Sequence, residues 1–227
     1  MPKSASPFAT FLIIGPVCFF LGLLFASFPY DYNVLWTTPS LAADAAPGSD
    51  PREPYYTLLE THLKFLHSSP PVISRILHIV IGTGILGFLM KLYKPSEANM
   101  LFDGASLVLY MCGITVYIAN IVKGLRVVTN GTYGKVELVE GESIAGATGE
   151  GPVDDYIGRE DSLKVLAASN TILALVLIGV LVLQAGQWYA QKKEAAEIAM
   201  MDKARDEKKS HKTQQAQAGK GESKKKQ

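Results

Sequence analysis

The side chains able to do chemistry are few and stand apart. His62 and His67 are five residues apart, about 140° around a helix, so they share no metal-binding face. His78 sits beyond them, near one end of an apolar run. A zinc or di-iron membrane enzyme needs several His or carboxylates converging on one point, and this spacing offers no such cluster. Cys18 and Cys112 both fall inside apolar runs without CxxC or zinc spacing, which predicts two small apolar core residues rather than a redox pair. One motif has a catalytic form: Gly82-x-Gly84-x-x-Gly87, within ILHIVIGTGILGF, fits a dinucleotide fingerprint. That fingerprint needs a strand, a tight turn and a helix N-terminus in a parallel sheet, and no second strand-helix-strand unit follows. The glycines are read instead as points where neighbouring helices approach closely. No Walker loop or nucleophile elbow appears in the 227 residues. The pattern predicts no catalytic residue, no cofactor and no metal.

The elements that carry these residues are set by where charge is missing. Lys and Arg total 22 against 21 Asp and Glu, yet long windows exclude them all. Phe8–Phe28 holds 21 uncharged residues, Gly104–Val122 holds 19, and Val165–Gln191 holds 27. A hydrocarbon core of roughly 30 Å takes about 20 helical residues, so each window predicts a transmembrane helix. Ile76–Met90 is shorter, 15 residues, but Arg75 and Lys91 at its ends can snorkel, extending the span to about 72–93. The expected fold is all-α, with spans at about 8–28, 72–93, 104–122 and 165–190. A membrane domain over 1–191 is followed by a hydrophilic tail over 192–227. The first apolar run exceeds a signal-peptide core, and the nearest small-x-small site, Ser40-Leu41-Ala42, lies too far past it, so a retained anchor is expected.

Four spans place both termini on one side. That side carries 14 Lys and Arg against 8 on the other, with net charges of +6 and −5. Lys192 and Lys193 directly follow the fourth span. The positive-inside rule therefore puts both termini in the cytosol and the loops 29–71 and 123–164 in the lumen.

Within the first loop, Asp50, Pro51 and Glu53 spell a capped helix start with a capping box. Tyr55, Leu58, Leu59, Leu63 and Leu66 then share one face, predicting an amphipathic helix on the lumenal surface or against the bundle. In the second loop, Asn130-Gly131 between VVT and KVELV predicts a hairpin. Asn130-Gly131-Thr132 is also a glycosylation acceptor by pattern. The tail should extend the fourth helix at its beginning and be disordered at its end. Its lysines lack the aromatic interleaving of a nucleic-acid surface and suit an anionic membrane leaflet. The chain ends KKKQ, which sets Lys224 and Lys225 in the dilysine retrieval pattern, although a Lys-rich tail also produces it by composition.

The third span is unusually polar. Ser106, Tyr110, Gly113, Tyr117, Asn120 and Gly124 fall along one line at 100° per residue, while Val108, Leu109, Cys112, Thr115, Val116 and Ala119 lie opposite, where only Thr115 is polar and can bond its own backbone. A stripe of small, hydroxyl and amide residues is how membrane helices meet other helices, each hydrogen bond contributing about 0.6 kcal/mol. Such a stripe serves packing inside this protein's bundle or contact with another protein's span. Asn170 and Gln184 are further polar groups, in the fourth span. None of these is ionisable, so neither a proton relay nor an ion path is expected.

Long runs carry a resemblance: FPYDYNVLW (28–36), KLYKPSEANMLFDGASLVLYMCGITVYIANIVKGLR (91–126) and IGREDSLKVLAASNTILALVLIGVLVLQAGQW (157–188). Over about residues 8–190 the chain resembles the fungal endoplasmic-reticulum packaging chaperones for amino-acid permeases. The resemblance implies a four-span resident of the endoplasmic reticulum that shields newly made permease spans from aggregation. It also implies assistance to their entry into coat-protein-II vesicles, whose components are expected partners of the cytosolic tail. Two other classes stand beside it: a tetraspan scaffold in a stable complex, and a small lipid-modifying enzyme, which would need a His/Asp constellation.

Overall fold

The structure is a computed structural model that describes residues 7–37, 50–93, 97–133 and 158–223. Where no water can solvate the backbone, each N–H and C=O must be paired within the segment, and apolar runs fold as helices. The elements are α1 (Pro7–Leu35), α2 (Glu53–His67), α3 (Pro71–Leu92), α4 (Glu97–Val116), a π-helical segment (Tyr117–Val122), α5 (Lys123–Asn130) and α6 (Arg159–Ser223). Four stretches are long and apolar enough to cross a membrane: Phe8–Leu35, Pro71–Leu92, Met100–Asn130 and Arg159–Lys209. The expected four-span helical architecture is observed, and the described residues form no strand.

Three boundaries differ from the sequence reading. The first helix runs past Phe28 and through Pro29 to Leu35; the Asn33 side-chain amide donates to the Pro29 carbonyl at 3.0 Å. The third span also continues to Asn130, so VVT is helical and the Asn130-Gly131 pair ends a helix instead of turning a hairpin. Gly131 has φ 62°, the left-handed conformation that a side chain would resist, and its N–H donates to Val127 O. The other expected strand, 135–139, lies outside the described residues. The fourth helix runs on to Ser223, which corrects the expectation of a disordered tail end. Ala, Glu, Met, Lys and Arg dominate 194–209, and a helix already nucleated by its span extends on propensity without a core.

The spans contact one another in a ring, α1–α3–α4–α6 and back to α1. Its centre buries Ile13, Val17 and Phe20 of α1, Phe88 of α3, Tyr110 of α4, and Leu173, Leu177 and Val180 of α6. Large apolar side chains cover the outside, including Phe11, Phe25, Ile79, Leu101, Val108, Leu175 and Val182. Aromatic residues mark both ends, as at a membrane interface. Phe28, Tyr32 and Trp36 cluster at one, and the exposed Tyr93, Trp188 and Tyr189 stand at the other. Cys18 and Cys112 are exposed on this outer surface, not in the core as expected. A thiol is apolar enough to face lipid, so burial does not follow from its place in a span.

One bundle end is closed by α2. Tyr56, Leu59 and Leu63 pack with Val34, Val128, Leu163, Leu166 and Ala167. The buried face is turned from the one expected: Tyr56 is buried, whereas Leu58 and Leu66 are 50% and 42% exposed. Apolar count does not distinguish these positions; contact with α1, α5 and α6 does. The capping box is also absent. The Asp50 carboxylate accepts from the Arg52 N–H at 2.8 Å, and Glu53 binds Arg159 at 2.7 Å instead of reaching back to the cap.

Candidate functional site

The third-span stripe turns largely inward. Ser106 is fully buried and accepts from the Gln184 amide at 3.1 Å. The buried Tyr110 hydroxyl donates to the Ile81 carbonyl at 3.2 Å. A side chain on Gly113 would begin 3.2 Å from Leu173 Cδ1, and one on Gly124 2.5 Å from Leu166 Cδ2, so both glycines hold α6 close. Tyr117 is half-buried, edge-on to Phe20 at 6.1 Å. Asn120 alone of the six is exposed. It lies in the π-helical segment, whose i→i+5 turns advance less than 100° per residue and throw it out of the line drawn for an ideal helix. Gly84 and Gly87 likewise face neighbours: a Cβ at Gly87 would meet Ile13 and Leu12 at 2.9 Å, while one at Gly82 would meet open space.

At the bundle end away from α2 lies a buried polar cluster. Lys91 of α3 and Asp103 of α4 pair at 3.1 Å, each side chain 2% exposed. The Lys91 ammonium has three donors; the other two reach Gln184 Oε1 at 2.7 Å and Gln187 Oε1 at 2.8 Å. The Gln187 amide donates to Asp103 Oδ2 at 2.7 Å, and that of Gln184 to Asp103 Oδ1 at 3.3 Å. Every ammonium proton and both carboxylate oxygens are used, the condition under which a buried pair is tolerated. Spacings of three, Asp103 to Ser106 and Gln184 to Gln187, put both partners of each helix on one face. The cluster ties α3, α4 and α6 together.

A groove of about 550 Å³ opens between α1 and α6 toward the α2 end. Leu24, Phe25, Phe28 and Ile178 give it an apolar lining, and Gly22 and Ala174 keep it wide. Asp31 and Asn170 stand at one end. Asp31 is 2% exposed; its Oδ2 accepts from the Asn170 amide at 3.0 Å. Its Oδ1 is buried and accepts no hydrogen bond from any described residue.

Charged side chains pair at the α2 end. Arg159 donates to Glu60 at 2.6 Å and Glu53 at 2.7 Å, and the Tyr56 hydroxyl donates to Glu160 at 2.7 Å. Burial pushes Glu60 up, but hydrogen bonds from Lys64 and Arg159 outweigh it and hold the carboxyl below its ordinary 4.5. His62 stacks on Tyr30 with ring centroids 4.0 Å apart, and burial pulls its pKa below 6.5. No group of His, Cys, Asp and Glu among the described residues is placed to hold a metal.

Residues 4–225 match the SHR3 chaperone family, described as ER membrane protein SH3. The chain belongs to that family. It is similar to the secretory component protein psh3 of Schizosaccharomyces pombe, 25% identical over 179 residues, covering 78% of this chain and 67% of the relative. No solved structure matches. The protein is thus a multi-pass endoplasmic-reticulum membrane protein of a secretory-component chaperone family. Membership in such a family implies a non-enzymatic role and membrane proteins as clients.

The sequence reading missed the Lys91–Asp103 pair, having treated Lys91 as a snorkelling end. The readable signal was a Lys and an Asp twelve residues apart on either side of Pro95, with Gln184 and Gln187 at helical spacing. Asp31 was missed because it lies just beyond the uncharged window. Lys224 and Lys225 lie outside the described residues.

Proposed function

We propose that the protein shields transmembrane segments of newly made amino-acid permeases in the endoplasmic reticulum, prevents their aggregation and assists their packaging into coat-protein-II vesicles. The family match over nearly the whole chain carries this reading. Both termini face the cytosol, the α2 end faces the lumen, and α6 projects its hydrophilic continuation toward vesicle-coat components. The protein acts by contact and not as an enzyme: client spans rest on its lipid-facing helices and leave as their own packing replaces weak bonds of about 0.6 kcal/mol each. Asn120, exposed in the π-helical segment, is the stripe residue open to a client. Ser106, Tyr110, Gly113, Tyr117 and Gly124 hold the helix that presents it. The test is photocross-linking from position 120 during permease synthesis in microsomes. Adducts with nascent permeases that disappear on completion of folding support the reading. Equal, persistent adducts with every membrane protein made would overturn permease selectivity.

A further inference from the structure

The α1–α6 groove combines two features that a lipid-facing surface has no use for together. Its walls are apolar over about 15 Å, from Leu21 to Asp31 at 1.5 Å per residue. At its α2 end stands the Asp31 carboxyl group, one oxygen bonded by Asn170 and the other, Oδ1, buried with no donor from the described residues. A buried acceptor without a partner is costly in a medium without water, so the site is complete only when something brings a donor.

We propose that this groove receives one transmembrane helix of a client, and that Asp31 accepts a hydrogen bond from a basic or amide side chain on it. The proposal rests on the client-shielding reading and names its polar subsite. An acyl chain would fill the apolar part and leave Oδ1 unanswered. A membrane helix supplies an apolar ridge and a donor at a fixed height along it. Gly22 on one wall and Thr171 and Ala174 on the other are small, the residue types that let helix backbones approach closely. A Cβ at Gly22 meets nothing within 4 Å, so the space beside it is open. Unassembled spans of polytopic proteins carry such donors before their own partners are made. Asp31 would hold them in the interval, selecting spans that most need shielding.

The test uses the full chain in microsomes with a photocross-linking phenylalanine in place of Leu175, a groove residue 64% exposed. The probes are single-span segments of about 20 Leu and Ala residues. One is uncharged, one carries a Lys four residues from one end, and one carries it four residues from the other. The Lys probe whose charge falls at the α2 end should be captured about tenfold more than the other two, equivalent to 1.4 kcal/mol. Asp31→Asn should bring the three probes to within about twofold, a residual 0.4 kcal/mol. Gly22→Leu fills the groove without touching Asp31, so it should abolish capture at normal abundance even where an Asp31 variant folds poorly. Equal capture of all probes by the unaltered protein overturns the proposal. So does an adduct with the mass of a phospholipid or of a second copy. If the groove fails to discriminate while position 120 still captures nascent permeases, the subsite is wrong and the shielding reading stands. If neither position captures a span, both fall.

Discussion

Lys91→Met isolates the buried cluster. The substitution keeps the length and apolar stem of the side chain but removes the ammonium that Asp103, Gln184 and Gln187 share. Asp103, with a side chain 2% exposed, is left charged against two amide donors. Removing one member of a buried pair costs about 3–5 kcal/mol because the survivor's charge is uncompensated. Asp103→Leu should cost about as much, stranding the ammonium. The double variant removes both charges and should lose only the four bonds that Lys91 and Asp103 make with Gln184 and Gln187, at about 0.6 kcal/mol each in a membrane. The singles would sum to roughly 6–10 kcal/mol, and the double should lose only about 2 kcal/mol. The difference is a coupling of several kcal/mol. Unfolding by sodium dodecyl sulfate in mixed micelles, followed through the exposed Trp188, reads all four proteins. Singles within 1 kcal/mol of the unaltered protein, or an additive double, would refute the reasoning.

Acidification should loosen α2. His62 is neutral when folded below its ordinary 6.5 and Glu60 is ionised below its ordinary 4.5, so the unfolded state binds more protons in each case. Protection of α2 from hydrogen exchange should fall as pH drops from 6.5 toward 4, and His62→Phe, which keeps the stack on Tyr30, should remove the upper part of that fall. Gly113→Leu should lower the protein's own abundance, since Leu173 Cδ1 is 3.2 Å from where the new side chain begins and overpacking costs about 1–3 kcal/mol. Asn120→Leu should leave abundance normal while permease cross-links from α4 weaken several-fold; reduced abundance would make Asn120 a packing residue. In sealed microsomes, protease should digest α6 beyond Lys193 and spare α2, and truncation after Lys193 should keep permeases soluble in mild detergent; digestion of α2 in intact vesicles would invert the topology.

How much of this was legible follows from which forces the sequence displays. Uncharged windows report the absence of water directly, and all four spans follow from them. The stripe on the third span was legible as a helix-contact face, because Gly113 and Gly124 signal close approach. Its exposed member was not legible, because the π-helical segment changes the advance per residue and nothing in YIANIV announces it. The helical Asn130-Gly131 end was misread because that pair serves a hairpin turn and a left-handed helix cap equally well. Lys91, Asp103 and Asp31 were hidden for another reason. A charge beside an apolar run reads as an anchor in the headgroup region, and only the neighbours on other helices reveal whether it is buried. The same holds for α2, where Tyr56 and Leu58 are equivalent in pattern and separated by the surface they meet.

The central claim is most directly tested by the state of amino-acid permeases in endoplasmic-reticulum membranes with and without this protein. Membranes from cells lacking it should yield permeases as high-molecular-weight aggregates in mild detergent, with little reaching the plasma membrane. Restoring the full chain should return them to discrete, soluble species that leave the endoplasmic reticulum, while unrelated polytopic proteins remain unaffected throughout. Permeases that are soluble and delivered normally in its absence would contradict the account.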